Sequence, residues 1–370
     1  MKTDTSSLDL HYIISELSFL VGGKVDKIYQ EGKNMVLQFH VTSHGKQMVS
    51  VIAPKYFYLA SKKPDFPQTP GGFCMFLRKY LENTRVKNIR QVGFERIVEI
   101  EFESKEEKYR MIIELFSKGN IILCKDDYTI MSALETKVMT KRTVRGGVKY
   151  DFPTKEYSII DMSEDDLKKA VDESDKESIV KMLAMDLGIG GIYAEQICSE
   201  AEIDKGKKKL TESEIRKLHD VLKSIVKKKI EAIVTDKEEI FPFSTYATGK
   251  ENKTFESFNS AIDYVVTPSV ISGKKKEETS KHEKKIGKVK DIIRMQQKQA
   301  ETFEKGYNEN KRSGEIIYEN YTLIKEVIDT LKKARKKHSW KEIKEKLKDH
   351  KVVKDINEKE SKITIEIEDK

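Results

Sequence analysis

Apolar side chains recur at helical spacing at Leu10, Ile13, Ile14, Leu17 and Leu20, directly after the hydroxyl- and carboxylate-bearing residues 4–7. Those residues can cap a helix and Gly22-Gly23 can stop it, so the pattern predicts a helix over 8–20. The period then shortens. β-branched and aromatic residues gather over 24–29, 35–41, 47–53 and 56–60, with turn residues between the runs, and each run predicts a strand. A helix is expected over 73–82, after the Pro/Gly-rich loop 64–72, and a second strand group over 86–92, 97–102, 109–115, 120–124 and 129–134. Strand runs with few helices predict an α+β domain on antiparallel sheet, in two layers, over 1–161.

From Met162 the helical period returns. Ser163-Glu164-Asp165 can cap a helix, and helical stretches are expected as far as residue 233, giving an all-α domain over 162–235. Residues 236–278 form a connecting segment with Pro242, Pro268 and one short helix over 255–266. The longest helical signal follows. Steps of three and four from Ile286 land on Val289, Ile293, Gln296, Ala300, Phe303, Tyr307, Asn310, Gly314, Ile317, Tyr321, Ile324, Ile328 and Leu331. All but Gln296, Asn310 and Gly314 are apolar over roughly six to seven heptads, a coiled-coil seam. A helical arm over 279–337 would reach on the order of 85 Å, and so regular a seam needs a partner. Residues 338–370 hold a short helix opened by Ser339-Trp340 and an alternating run, 362–368, that reads as an exposed strand. No return helix follows, so the chain is expected to be part of a longer protein and to self-associate through the arm.

Composition sharpens this outline. Charged residues are 36% of the chain against 38% hydrophobic, which fits a long solvated helix beside globular parts. A net charge of +8 suits a polyanionic partner, although a Lys/Glu-rich solubilising surface gives the same number. Cys74, Cys124 and Cys198 are odd in number and scattered, which argues for a reducing compartment over a disulfide framework. The polar opening residues do not read as a signal peptide, and no apolar run nears the ~20 residues of a membrane span. The expected location is cytoplasmic, with no membrane partner.

Catalytic signatures are missing from the sequence. Its seven histidines (His11, His40, His44, His219, His282, His338, His350) form no metal-ligand cluster, and no cysteine pair has zinc spacing. Gly188-Ile189-Gly190 follows a helical segment instead of a strand, so it is no dinucleotide fingerprint. Asp126-Asp127 and Asp165-Asp166 sit where turns and caps favour acids. The expectation is a binding protein, not an enzyme, with no cofactor or metal. Three features point to nucleic acid. Residues 187–197 read as a hairpin between two helices, in which Gly188, Gly190 and Gly191 can present backbone N–H groups to an RNA phosphate. Residues 137–149 hold Lys137, Lys141, Arg142, Arg145 and Lys149 with no acid, a loop that phosphates would neutralise. Lysines from 205 to 229 add a basic edge, diluted by acids, that equally reads as a solvated face.

Leu8-Asp9 with Glu16-Leu17, the string 76–81, Phe94-Glu95-Arg96-Ile97-Val98, Glu114-Leu115 with Lys118-Gly119-Asn120, and 142–150 ending at Pro153 occur in that order. The hairpin 187–197, then Phe255, Phe258, Asn259, Ala261, Asp263 and Tyr264, then 340–343, complete the series. Over nearly the whole chain this resembles the NFACT family: the bacterial RqcH proteins, once called fibronectin-binding protein A, and the eukaryotic nuclear export mediator factor with its archaeal relatives. The resemblance implies an N-terminal domain like that of formamidopyrimidine-DNA glycosylases, a helix-hairpin-helix domain, and a coiled coil carrying a small middle domain at its tip, here 338–370 in part. It implies that the family's second coiled-coil helix and its following RNA-binding domain are missing from these residues.

The resemblance also implies a function in ribosome quality control. Family members bind a stalled large ribosomal subunit (rRNA) carrying peptidyl-tRNA, recruit a charged tRNA, and extend the nascent chain without mRNA, marking it for degradation. It ties Asp9 and an acid–arginine pair to tRNA handling; here the pair is Glu95-Arg96 where the family pattern is Asp-Arg. Lys118, Arg142, Arg145 and Lys149 join these as tRNA-binding candidates. Two other classes stay open: a nucleic-acid-binding protein of the DNA glycosylase-like fold acting on DNA, although the chain opens Met1-Lys2-Thr3 without an N-terminal proline, and a cell-surface adhesin.

Overall fold

The structure, a computed structural model, describes residues 4–138, 142–153, 157–245, 252–348, 350–357, 360 and 362–367, with side chains omitted over 274–285. It separates into two compact units, Met1–Glu277 and Glu278–Lys370.

The first unit opens with α1 (Ser7–Glu16), shorter than the 8–20 expected: a 3-10 turn, Ser18–Leu20, replaces its last turn. Strands β1 (Lys24–Glu31), β2 (Asn34–Val41), β3 (Gly45–Ile52) and β4 (Tyr56–Leu59) precede α2 (Gly72–Leu81). Strands β5 (Arg85–Gln91), β6 (Ile97–Glu103), β7 (Lys108–Glu114), β8 (Asn120–Lys125) and β9 (Ile130–Ala133) follow. All nine form one antiparallel sheet in the order β4-β3-β2-β1-β5-β6-β7-β8-β9, two meanders joined where Lys24 pairs Arg85. Alternation decides the faces. Val25, Leu37, Phe39, Val49, Val51, Val98, Ile100 and Met111 point into the main core with Leu8, Leu10, Ile13 and Leu77 from the helices. Two short strands follow, β10 (Lys137–Val138) and β11 (Thr143–Val144), and on the opposite face Ile97, Ile112, Ile122 and Ile130 meet Val144 of β11 and Tyr150 just beyond it in a smaller core.

Four helices come next: α3 (Glu164–Glu173), α4 (Ile179–Met185), α5 (Gly191–Glu200) and α6 (Glu212–Ile225). Ser163 caps α3 through a reciprocal box with Asp166, as its sequence suggests. The helical stretch expected to reach 233 stops at Ile225. Ala232–Thr235 is instead β12, the centre of a three-stranded sheet with β13 (Ile240–Phe241) and β14 (Asn252–Phe255). Its β-branched run is short and fully buried, a pattern that fits strand and helix alike.

The short helix expected over 255–266 is the start of a much longer one, α7 (Phe258–Glu319), which runs through Pro268. A proline inside a helix costs about 3 kcal/mol, and anchoring offsets it. The Glu16 carboxylate accepts from the Phe258 and Asn259 N–H groups at 2.7 and 2.9 Å, a charge at the helix N-terminus. Asn259 donates to the Ile13 carbonyl at 3.3 Å and accepts from the Leu59 N–H at 2.8 Å, while Asp263 accepts from the Ser61 N–H at 3.0 Å. Phe258, Ala261, Ile262 and Val266 are buried.

In the second unit the arm is not one helix, because α8 (Tyr321–Arg335) restarts after Asn320. Helix α9 (Trp340–Lys346) and strands β15 (Val353–Asn357) and β16 (Lys362–Ile365) complete a small core of Leu331, Ile343, Val353 and Ile356. The run expected as a lone exposed strand is thus paired over Lys362–Ile365; Glu368 lies outside the described residues.

Candidate nucleic-acid interface

Helix α1 starts on a capping box. The Ser6 N–H donates to Asp9 Oδ2 at 2.8 Å, and the Asp9 N–H donates to Ser6 Oγ at 3.1 Å. Asp9 does a second job: its Oδ1 accepts from the Tyr193 hydroxyl at 2.6 Å. Both residues are 1% exposed. Burial first, then the charge of Asp9, push the Tyr193 phenol well above its ordinary range, so it stays protonated and keeps donating. Tyr193 is the third residue of α5, and this one bond locks the first turns of α1 and α5 together.

The link between α4 and α5 is the expected glycine hairpin, with Ala194 and Ile197 fully buried behind it. Gly190 holds φ 93°, ψ 149°, and a Cβ there would lie 3.4 Å from the Ser6 Cβ. That is why glycine occupies the position. No side chain caps α5, and its first intrahelical bond runs from the Ala194 N–H to the Gly190 carbonyl at 2.9 Å.

The turn between β5 and β6 comes up beside these helix starts. Gln91 Nε2 donates to the carbonyls of Ser7 and Glu95, both at 2.9 Å, and the Leu115 N–H donates to the Arg96 carbonyl at 2.8 Å. The result is a cleft of about 640 Å³ lined by Asp4–Ser7, Glu95, Arg96, Phe116, Gly188, Gly190, Gly191 and Ile192 among others. Arg96 is half-buried and makes no side-chain hydrogen bond or ion pair among the described residues. Two helix N-termini, a fork of guanidinium donors and a nearby acid converge here, with Phe116 and Ile192 as apolar walls. Such a site can hold a phosphate and accept from a base amino group.

The other sequence candidates divide. Arg142 is not a free cation: its Nη2 donates to Glu114 at 2.6 Å and its Nε to the Asp151 carbonyl at 2.8 Å, and it lies 4.7 Å from the Tyr150 ring. Tyr150 also donates to Glu114, at 2.9 Å, and burial followed by that carboxylate raises its phenol. Arg145, Lys149 and Lys118 are exposed, outside the cleft lining. Lys141 falls outside the described residues. The cleft therefore gathers Glu95, Arg96, Gly188, Gly190 and Gly191, while Asp9 lies buried behind it. Sequence reasoning missed Gln91, Phe116 and Tyr193. Ser6-x-x-Asp9 was a legible capping-box signal; nothing local marks Tyr193 as its partner 184 residues away.

Among the described residues no group of three or more His, Cys, Asp or Glu could hold a metal, and no helix is long and apolar enough to cross a membrane. The family described as NFACT N-terminal and middle domains matches residues 6–369. The archaeal Rqc2 homolog aRqcH of Methanocaldococcus jannaschii is 30% identical over 399 residues, covering 100% of this chain and 60% of that protein. The ribosome quality control complex subunit NEMF of Homo sapiens is 27% identical over 157 residues, covering 41% of this chain and 14% of that protein. The chain thus spans less than two thirds of the length of these relatives. None of the relatives named here carries a DNA-glycosylase name. Among solved structures, the N-terminal part of the fibronectin/fibrinogen-binding protein from Streptococcus suis matches with TM-score 0.58 at 23% identity, covering 70% of this chain and 97% of that one. The fibrinogen-binding protein from Staphylococcus aureus matches with TM-score 0.57 at 21% identity, covering the same shares. At these identities the likenesses show a shared fold.

Proposed function

The chain belongs to the NFACT family, and on that premise we propose that it is a ribosome-associated quality control factor. In this reading it binds stalled large ribosomal subunits carrying peptidyl-tRNA, through rRNA and tRNA contacts, and recruits tRNA for mRNA-independent tailing of the nascent chain. It acts in the cytoplasm, without a cofactor. Peptide transfer belongs to the ribosome, so the protein need only position RNA, and no catalytic set is required of it. The names of the archaeal and human relatives support the ribosomal setting.

The observation that carries the tRNA role is the cleft: Arg96 beside the uncapped start of α5. Arg96 forks onto a phosphate or base edge, Glu95 orients it or accepts from a base, and Gly188, Gly190 and Gly191 let a phosphate approach the backbone. Asp9 acts at one remove, by holding the two helix starts in register. Lys118, Arg145 and Lys149 supply backbone contacts outside the cleft, and Arg142 shapes the segment that presents them. In the same reading 1–161 is a glycosylase-like N-terminal domain, 162–235 a helix-hairpin-helix domain, 236–278 a connector, 279–337 one helix of a coiled coil and 338–370 part of the tip domain.

Arg96→Ala tests the cleft. Loss of a phosphate or base contact should weaken tRNA binding by ~1–3 kcal/mol with the thermal midpoint unchanged. A lowered midpoint with affinity intact would make Arg96 structural.

A further inference from the structure

The outer face of the nine-stranded sheet carries two charged regions of opposite character. Over β6–β8 charge is compensated: Arg110 bonds Glu99, Glu101 and Asp126 at 2.6, 2.8 and 2.9 Å, and Arg90 reaches Glu99 at 2.7 Å. Toward the other end of the strands, register sets Lys46 opposite His40, His40 opposite Lys24, and Lys24 opposite Arg85. All four are exposed, and none has an acidic partner among the described residues. Arg85 donates instead to the Gly22 carbonyl at 2.9 Å. The next residue across, Glu103, faces Arg85 but is shared with Lys87 at 3.4 Å and Lys108 at 3.8 Å.

Like charges directly opposite one another destabilise a sheet. Three fixed cations and a histidine in one cross-strand row therefore work against the fold unless an anion covers them. The row is about 14 Å long, three strand spacings of ~4.8 Å. At the same strand ends the half-buried Phe19, which also packs on the main core, lies against the exposed His44 of the β2–β3 turn at 4.6 Å between ring centroids. Arg85 and Gln91 are the first and last residues of β5, so the row lies about 20 Å from the cleft.

We propose that this row, Lys46–His40–Lys24–Arg85, is a second RNA-backbone surface, binding an unpaired RNA segment with a base against Phe19–His44. The proposal rests on the reading of the chain as an RNA-binding protein, but not on the cleft. Cations take the phosphates and the aromatic pair takes a base face, a sequence-tolerant combination.

The test measures affinity for bulk tRNA across about 50–200 mM salt for the whole chain, for Lys24→Glu/Lys46→Glu, for Lys24→Gln/Lys46→Gln and for Arg96→Ala. Arg85 is left in place because it holds Gly22. Both double variants should lower the slope of log K against log salt by about two, and the charge reversal should weaken low-salt binding at least tenfold. The reversal should also leave the melting temperature equal or higher, since the carboxylate placed at position 24 faces Arg85 where two cations faced each other before, an effect that a structural role for the lysines would not produce. Unchanged slopes in both double variants, with Arg96→Ala still weakened, would overturn the row and spare the cleft. Weakened double variants with Arg96→Ala intact would support the row and sink the cleft reading. No binding of tRNA by the unaltered chain would overturn both. Polyaspartate competing as well as RNA of equal charge would overturn the row as an RNA surface and make it one for acidic protein.

Discussion

Asp9→Ala separates a residue that touches RNA from one that holds the RNA site in shape. The carboxylate completes the α1 capping box and accepts from Tyr193 in a site where both residues are 1% exposed. Removing the box contribution costs about 0.5–1 kcal/mol. Stripping the buried Tyr193 hydroxyl of this acceptor costs about 1–3 kcal/mol more. The variant should lose about 1.5–4 kcal/mol, a fall in melting temperature on the order of 3–15 °C. Asp9→Asn keeps an acceptor of the same size, so it should lose less. RNA affinity should fall with the same ranking as stability, and at temperatures well below the melt the loss should be smaller than for Arg96→Ala. Thermal denaturation and tRNA titration on the same preparations supply both numbers. If Asp9→Ala melts like the parent but binds tRNA as poorly as Arg96→Ala, the carboxylate is a direct ligand and the account of the two helix starts is wrong.

Arg142→Ala should destabilise by about 3–5 kcal/mol, because Glu114, with 2% of its side chain exposed, would be left buried without its guanidinium partner. Arg145→Ala should leave the melt unchanged and lower the salt slope of RNA binding by about one; equal melts for both would refute the distinction. The arm should self-associate at micromolar concentration: Ile293, Phe303, Tyr307 and Ile317 are 48–68% exposed, and an apolar groove of about 1230 Å³ runs past Ile317, Ile324, Ile328 and Ile365. Burying each such side chain is worth ~1.5–3 kcal/mol. Analytical ultracentrifugation of the chain beside Ile293→Lys/Phe303→Lys decides, and two monomers would sink the seam.

Period carried most of the fold. The β1–β9 runs were legible because buried Val, Ile, Leu and Phe alternate with turn residues, and α2 within a residue at each end, because its flanks are Pro/Gly-rich. The reading failed where long-range contacts decide. Pro268 argued for a break, yet Glu16 and Asn259, distant in sequence, anchor the helix through it. Arg142 looked like one more loop cation, because its partner Glu114 lies 28 residues away on β7. The cleft was half legible. Glu95-Arg96 and the glycine hairpin were found as separate strings, and only the fold sets them side by side. The cationic row is invisible in one dimension, since Lys46, His40, Lys24 and Arg85 become neighbours only through strand register.

The central claim is that this chain grips tRNA on the large subunit through the cleft at Arg96. Co-sedimentation with purified large subunits, empty or carrying peptidyl-tRNA, tests it most directly, with Arg96→Ala alongside and salt raised stepwise. The account predicts preference for the tRNA-bearing particles, loss of that preference in Arg96→Ala, and steep weakening with salt as Lys/Arg–phosphate contacts give way. Equal sedimentation with both particles, untouched by salt and by Arg96→Ala, would contradict it.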